Sequence, residues 1–403
     1  MNKSKLTLLI TLATPLFVFG QTKPESLINF YGYLSTNYED LSSITRPSAV
    51  DTIETENFNP VSGWEHKDFH LLFQSIISDK FKAFGHLSVN DAEEIELRNY
   101  WGEFTASEKF KISGGKIYRP FGLYNETLDA SASFVGIDAP EYLDENHPIV
   151  PRTTTLLFHG GGNLERNHFR YAISFDSGEQ NDGTALAYGW DVSNEFYDIF
   201  KVGYSFYRTE EKRGPKNKIG EGSPEGGVLP WVANEKYFVW GGYLQADYWN
   251  FTLQSAWWKA NHKGQRSQEQ LQILKDSAAL NDFQRVRFFG TSENTFNLDF
   301  DYAVKTWFTK IYYTWDSEKT GQWIPYYNFE FYQNPETISE VEFGGDDKAG
   351  NSDGGKFNKH TFGFSYKPNS KIAFKTDVST YRYTLDTKKE HFNAFRIQFA
   401  YTF

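Results

Sequence analysis

The chain has 403 residues, a formal net charge of −11 and no cysteine, and 18% of it is Phe, Tyr or Trp, while its mean hydropathy is −0.58. The acidic balance sets aside a nucleic-acid partner, which needs clustered Lys and Arg against phosphate, and the missing thiols set aside a disulfide framework and a Cys nucleophile. Beyond the N-terminus no apolar run reaches the roughly 20 residues of a spanning helix. A membrane location would therefore require a closed β-barrel, the other architecture that satisfies every backbone group in lipid; a large soluble β-sandwich is the competing class.

At the N-terminus, Lys3 and Lys5 precede an apolar run from Leu6 to Phe19, and Val18-Phe19-Gly20 offers a cleavage site before Gln21. Residues 1–20 are expected to be a signal peptide and 21–403 a single barrel. No Cys follows that site, so a lipid anchor is not expected.

From there period-two alternation dominates. Candidate strands are 28–38, 66–78, 80–91, 94–106, 109–118, 152–161, 165–176, 184–192, 197–208, 236–248, 250–260, 294–303, 305–316, 322–334, 356–367, 369–383 and 391–403. Phe169, Tyr171, Ile173 and Phe175 alternate with Arg170, Ala172, Ser174 and Asp176, and Phe200, Val202, Tyr204 and Phe206 with Lys201, Gly203, Ser205 and Tyr207. Polar turns such as Ser78-Asp79-Lys80, Ser107-Glu108-Lys109 and Pro368-Asn369-Ser370 join strand pairs, and long segments separate the pairs: 39–65, 119–151, 209–235, 262–293 and 335–355. Short turns at one rim and long loops at the other define a transmembrane antiparallel barrel. The 17 candidates conflict with the even strand number such a barrel needs, and 294–303 is the weakest. The expectation is 16 strands, with 18 as the alternative.

The most distinctive stretch is Gly114-Gly115-Lys116-Ile117-Tyr118-Arg119-Pro120-Phe121-Gly122. Pro120 ends ladder pairing and Gly122 permits a turn that other residues resist. Gly115, Lys116, Arg119, Pro120, Phe121 and Gly122 resemble the Gly-Lys/Arg-x-x-x-Pro-Phe-Gly signature of the phosphate-selective porin O/P family, in a Bacteroidetes-type form. The resemblance implies an outer-membrane porin of 16 strands, a homotrimer in the characterised branch, whose long third loop folds into the lumen. By that likeness 119–151 is the constriction loop, and small hydrophilic solutes or ions, including anions such as phosphate, pass it.

The charges complicate an anion filter. Within 120–151 stand Glu126, Asp129, Asp138, Glu141, Asp144 and Glu145, with no Lys or Arg. The wall positions expected to face inward are mostly basic, namely Lys82, Arg170, Lys201, Lys310, Lys371, Lys375 and Arg396 against Asp176, Asp247, Asp316 and Asp377. An acidic loop opposite a basic wall would set up a transverse field across the eyelet; the plainer alternative is that these charges solvate a wet lumen and a surface loop. Arg119 and Arg152, flanking the loop, could tether its carboxylates.

Further along, Leu271, Leu274 and Ala278 fall at helical spacing within 267–280, which predicts a short helix on a loop. Gly344-Gly345-Asp346-Asp347 and Asn351-Ser352-Asp353-Gly354-Gly355 carry oxygen ligands without EF-hand spacing, so no metal or cofactor is expected. Asp51-Thr52-Ile53 and Asp276-Ser277-Ala278 resemble Bacteroidetes O-glycosylation acceptor sites. There is no Gly-x-Ser-x-Gly and no His-Glu-x-x-His. An enzyme is not expected, and His70 and His86 fit wall positions.

The chain closes on Phe395, Ile397, Phe399, Tyr401 and Phe403, alternating with Ala394, Arg396, Gln398, Ala400 and Thr402. Phe399, Tyr401 and the final Phe403 resemble the signature by which outer-membrane barrels are recognised for insertion. That likeness implies a Gram-negative outer membrane, contact with its lipid and lipopolysaccharide, and handling by the barrel-assembly machinery. The rival reading is a surface-exposed binding or scaffold protein anchored by a plugged barrel.

Overall fold

The computed structural model describes residues 27–41, 62–89, 95–128, 130, 135–143, 152–176, 186–212, 232–277, 280–291, 295–338 and 347–403. The expected signal peptide, Asp129, Asp144, Glu145, the Asp51 acceptor site, Ala278 and Gly344 to Asp346 lie outside them.

Sixteen antiparallel strands close into one barrel. In chain order they are β1 (Leu27–Leu41), β2 (Ser62–Ser78), β3 (Phe81–Val89), β4 (Ile95–Ser107), β5 (Phe110–Tyr118), β6 (Arg152–Leu164), β7 (Asn167–Asp176) and β8 (Ala187–Phe196). The second half comprises β9 (Phe200–Lys212), β10 (Val232–Tyr248), β11 (Phe251–Arg266), β12 (Asp299–Tyr313), β13 (Gly321–Gln333), β14 (Lys356–Asn369), β15 (Ile372–Leu385) and β16 (Lys388–Thr402). Each strand pairs with its sequence neighbours, and β16 returns to β1 with Tyr33 opposite Thr402 and Leu41 opposite Ala394. Closure leaves no unpaired edge. It is finished by Phe403, whose N–H donates to the Gly32 carbonyl at 2.9 Å while the Gly32 N–H donates to the Phe403 carbonyl at 3.1 Å. The Phe403 ring lies where a Cβ on residue 32 would stand, 2.6 Å from it, and stacks on Phe69.

The strand-count conflict is resolved at β12. Expected strands 294–303 and 305–316 are one strand, Asp299–Tyr313, with the short stretch Trp315–Ser317 continuing along the same neighbour β13. Val304, placed between two strands by the sequence reading, is a buried wall residue opposite Ala260. The break was misjudged because the pattern inverts here: Phe300, Tyr302 and Val304 point inward while Asp299, Asp301 and Lys305 point out, and the outer row turns apolar only at Trp307 and Ile311. Alternation read for an apolar outer face fails at such a stretch.

Elsewhere the dyad is as expected. Ala394, Arg396, Gln398 and Ala400 are buried inside, with Phe395 and Ile397 exposed outside. The outer surface is a band of exposed Phe, Tyr, Trp, Leu and Ile, edged near the short turns by Tyr248, Trp249, Phe251 and Trp315. Such a band matches lipid and interfacial headgroups rather than water. The expected helix near 267–280 is α1 (Gln268–Ser277), with Leu271 and Leu274 buried. A second, α2 (Asp282–Phe289), follows, and a single turn, α3 (Asp347–Gly350), precedes β14. The start of α2 is a capping box: the Gln284 N–H donates to Asn281 Oδ1 at 2.9 Å, and the Asn281 N–H donates to Gln284 Oε1 at 3.0 Å.

Candidate pore constriction

The chain leaves β5 at Tyr118 and turns into the barrel at Arg119-Pro120-Phe121-Gly122. Arg119 is buried, forking onto Asp176 of β7 at 3.1 and 3.2 Å. It also donates to the Tyr207 hydroxyl at 2.9 Å and lies over that ring. Its carbonyl accepts from Asn125 Nδ2 at 2.6 Å, which locks the turn that follows. Gly122 has φ of 70° and donates its N–H to Ser205 Oγ at 3.1 Å. A Cβ there would lie 2.8 Å from the Trp258 ring, so the position requires glycine both for conformation and for space. Phe121 packs its ring 4.3 Å from Trp258. The family-like motif is thus the device that drives the loop against the wall. Its Lys116 takes no part: it lies on the outer row opposite the exposed Tyr100, 3.7 Å from Glu96. Gly115 has φ of 141°, and a Cβ there would lie 2.1 Å from the Tyr100 carbonyl.

From Phe121 the loop crosses the lumen along the inner faces of β7 to β16. Tyr124 donates to Gln254 of β11 at 2.5 Å. Glu126, in a short 3-10 turn, receives Arg170 of β7 at 2.5 Å. Lys310 of β12 donates to the Val135 carbonyl at 3.0 Å, and Lys375 of β15 to the Gly136 carbonyl at 2.8 Å. Arg396 of β16 bridges Asp138 and Asp377. Glu141 accepts from Lys359 of β14 at 2.6 Å and from the Tyr381 hydroxyl at 3.0 Å, while its N–H donates to Glu330 of β13 at 2.6 Å. Tyr142 stacks on Phe308. Burial holds the phenols of Tyr124 and Tyr142 well above their ordinary pKa, so both remain neutral.

Two expectations are corrected by this geometry. The described loop carboxylates do not face the wall cations across water; Glu126, Asp138 and Glu141 are in contact with Arg170, Arg396 and Lys359. Lys371 is not in the wall but in the tight turn between β14 and β15, where its N–H donates to Asn369. Of the remaining wall cations, Lys82 pairs with Glu103 at 3.0 Å, and Lys201 lies in the inner row of β9 opposite Gln245. Arg119 tethers the wall carboxylate Asp176, and Arg152 lies over the Tyr118 ring. Lys359 and Glu330 were not anticipated. In β14 the row Phe357, Lys359, Thr361 points in and Asn358, His360, Phe362 points out, so near the loop end both rows carry polar groups and no face stands out.

At the long-loop rim, Glu336 is clamped by Arg266 at 2.5 and 2.9 Å and by Arg287 at 2.5 Å, which ties α2 to β11. Beneath it Leu271, Leu274, Phe288 and Phe289 join Phe121, Tyr142, Trp258 and Phe308 in one buried cluster. The arc β1–β6 is different. Its inner face carries Ser35, Asn37, Ser88, Ser113, Thr153 and Thr155. A ladder runs across it from the Tyr33 ring to His70, on to His86 at 2.7 Å and to Asn99 at 3.2 Å. Exposure on this side is confined to its short-turn end, where Lys82 is 33% and His159 19% exposed, while Ser35, Asn37, His70, His86 and Asn99 are buried. Among the described residues no cluster of three His, Asp or Glu is placed to hold a metal ion.

No protein-family model matches this chain, and no curated protein does. Solved structures do match in fold. An anion-selective porin from Comamonas acidovorans aligns with a TM-score of 0.57 at 11% identity, over 94% of this chain and all of that one. The outer membrane channel DcaP of Acinetobacter baumannii aligns at 0.54 and 10%, over 95% and 99%. The trimer form of OmpT, an outer membrane protein of Vibrio cholerae, aligns at 0.53 and 10%, over 94% and 100%. At these identities the likeness defines a class of fold, the porin-type barrel. This chain is similar to its members over 94–95% of its length.

Proposed function

We propose that this protein is an outer-membrane porin, a passive channel for small hydrophilic solutes and ions narrowed by residues 119–151. The observation that carries the reading is the closed 16-strand barrel whose inner face along β1–β6 is lined by Ser, Thr, Asn and His. Around 16 strands enclose an aqueous lumen that about eight would fill. The fold relatives are named as porins and channels, one of them anion-selective, which agrees with this class. The motif Arg119 to Gly122 supports kinship with the phosphate-selective porin O/P type. A homotrimer fits the broad aromatic outer band, where subunit contacts need flat apolar strands.

In planar bilayers the purified protein is expected to give stepwise conductance, smaller than that of an unobstructed barrel of this size. A complete absence of steps would favour the second reading, a plugged barrel that anchors a surface-exposed protein. That reading has one specific observation behind it, the buried cluster joining the constriction loop to α1 and α2.

A further inference from the structure

We propose that His159, on the inner wall near the short-turn mouth, is a selectivity-determining residue whose protonation turns the lumen towards anions. The inference rests on the channel reading and deepens it by naming a residue and its regulator, the proton. His159 stands in the inner row of β6, opposite Lys111 of β5 on one side and Ala172 of β7 on the other. Its Nε2 lies 3.3 Å from Glu103 Oε2 and 3.0 Å from Ser113 Oγ. An Nε2–H donated to this pair leaves Nδ1, to which no described residue bonds, as the atom that takes the second proton.

The surroundings form a belt of charge across four strands and the constriction loop. Glu103 of β4 is 5% exposed; it meets Lys82 of β3 at 3.0 Å and accepts from Thr105 and Ser113, each at 3.2 Å. Arg170 of β7 donates to Glu126 of the loop at 2.5 Å. Glu103, Lys111, Arg170 and Glu126 all act electrostatically on the His159 ring. Beyond Ala172, Asp191 of β8 is buried and accepts from Ser205 at 2.6 Å and Tyr243 at 3.1 Å. An ordinary imidazole titrates between about pH 5 and 8, above ordinary carboxylates and below Lys and Arg. Below that range His159 adds one positive charge to the belt, and above it none. Position sets this histidine apart from the others described. His70, His86 and His262 are buried, and His360 and His391 lie in outer rows. His168, at the short turn, is exposed but stands 3.0 Å from Asp198, whose carboxylate offsets its charge.

The test measures the reversal potential of full-length channels in planar bilayers under a potassium chloride gradient, at about pH 8 and about pH 5.5. Acid is expected to raise the anion-to-cation permeability ratio of the wild type about threefold, the effect of one unit charge roughly 7 Å from a passing ion in water. H159Q should lose most of that rise and keep the ratio of the alkaline wild type. H159K should show the acid ratio at both pH values, and H168Q should respond as the wild type does. A rise in H159Q equal to that of the wild type, or an H159K ratio that stays at the alkaline value, overturns the proposal. A response lost in H168Q and intact in H159Q overturns it too. Heat-modifiable gel mobility reports on barrel integrity, and H159K decides the matter should H159Q fail to insert. Conducting channels without a pH response defeat only this inference, whereas no conductance in any form defeats the channel reading with it.

Discussion

Two arcs of the same inner wall are built on opposite principles. Along β7–β16 the wall offers large aromatics and buried ions, and the loop after β5 fills the space with matching groups: Phe121 on Trp258, Tyr142 on Phe308, Glu141 on Lys359. Along β1–β6 the wall offers Ser, Thr, Asn and a histidine ladder, and among the described residues the loop sends nothing to it. Buried charges demand partners, because an unpaired ion in a low-dielectric setting costs several kcal/mol. Small hydroxyls and amides can be satisfied by one another and by the backbone. The asymmetry therefore determines on which side the loop docks and on which side a solute path can remain.

The largest expected effect breaks the packed arc at its ions. Lys359 is buried between Glu141 and Glu330, at 2.6 and 3.8 Å. Lys359→Met leaves two buried carboxylates facing each other and is expected to destabilise by about 3–5 kcal/mol, read as a lower denaturant midpoint of the folded barrel. The larger part should return in Lys359→Met/Glu141→Gln/Glu330→Gln. Phe121→Ala empties a site beside Trp258 and should cost roughly 3 kcal/mol, with higher conductance as the loop loosens. Gly122→Ala places a methyl against the Trp258 ring at a positive φ and should cost about 1–3 kcal/mol, with the same direction of conductance change. The smallest stability effect is expected at Glu126 and Arg170, both more than a third exposed. There Glu126→Gln should cost under ~1 kcal/mol yet release one lumen-facing cation. The reversal potential in a salt gradient should shift towards anions; an unchanged potential would place this pair away from the ion path.

Much of this architecture was legible because a membrane barrel writes its inside and outside into alternate residues. Strand positions and the turns at one rim followed from that code, whereas an inward loop after Pro120 was implied only by the likeness of its motif. The code failed where the faces departed from the apolar-outside pattern: at the start of Asp299–Tyr313, where Asp299, Asp301 and Lys305 face out over an apolar inner row, and near Lys359, polar on both sides. Loop charges were visible as residue types, but their pairing was not. Whether Asp138 faces water or Arg396 depends on where a long segment lies in three dimensions, which spacing in the chain does not encode. The capping box Asn281 to Gln284 was present in the sequence and could have predicted α2.

The central claim is that the loop packs one arc of the lumen and leaves a solute path along the other, open at Lys82, and single cysteines test it without background because the chain has none. Lys82→Cys lies on that path and Val304→Cys in the packed arc, where the native residue is 1% exposed. With a charged, membrane-impermeant thiol reagent added to conducting channels, Lys82→Cys is expected to react within minutes and reduce the current, while Val304→Cys leaves it unchanged. Equal reaction at both positions, or current loss at Val304→Cys alone, would contradict the account.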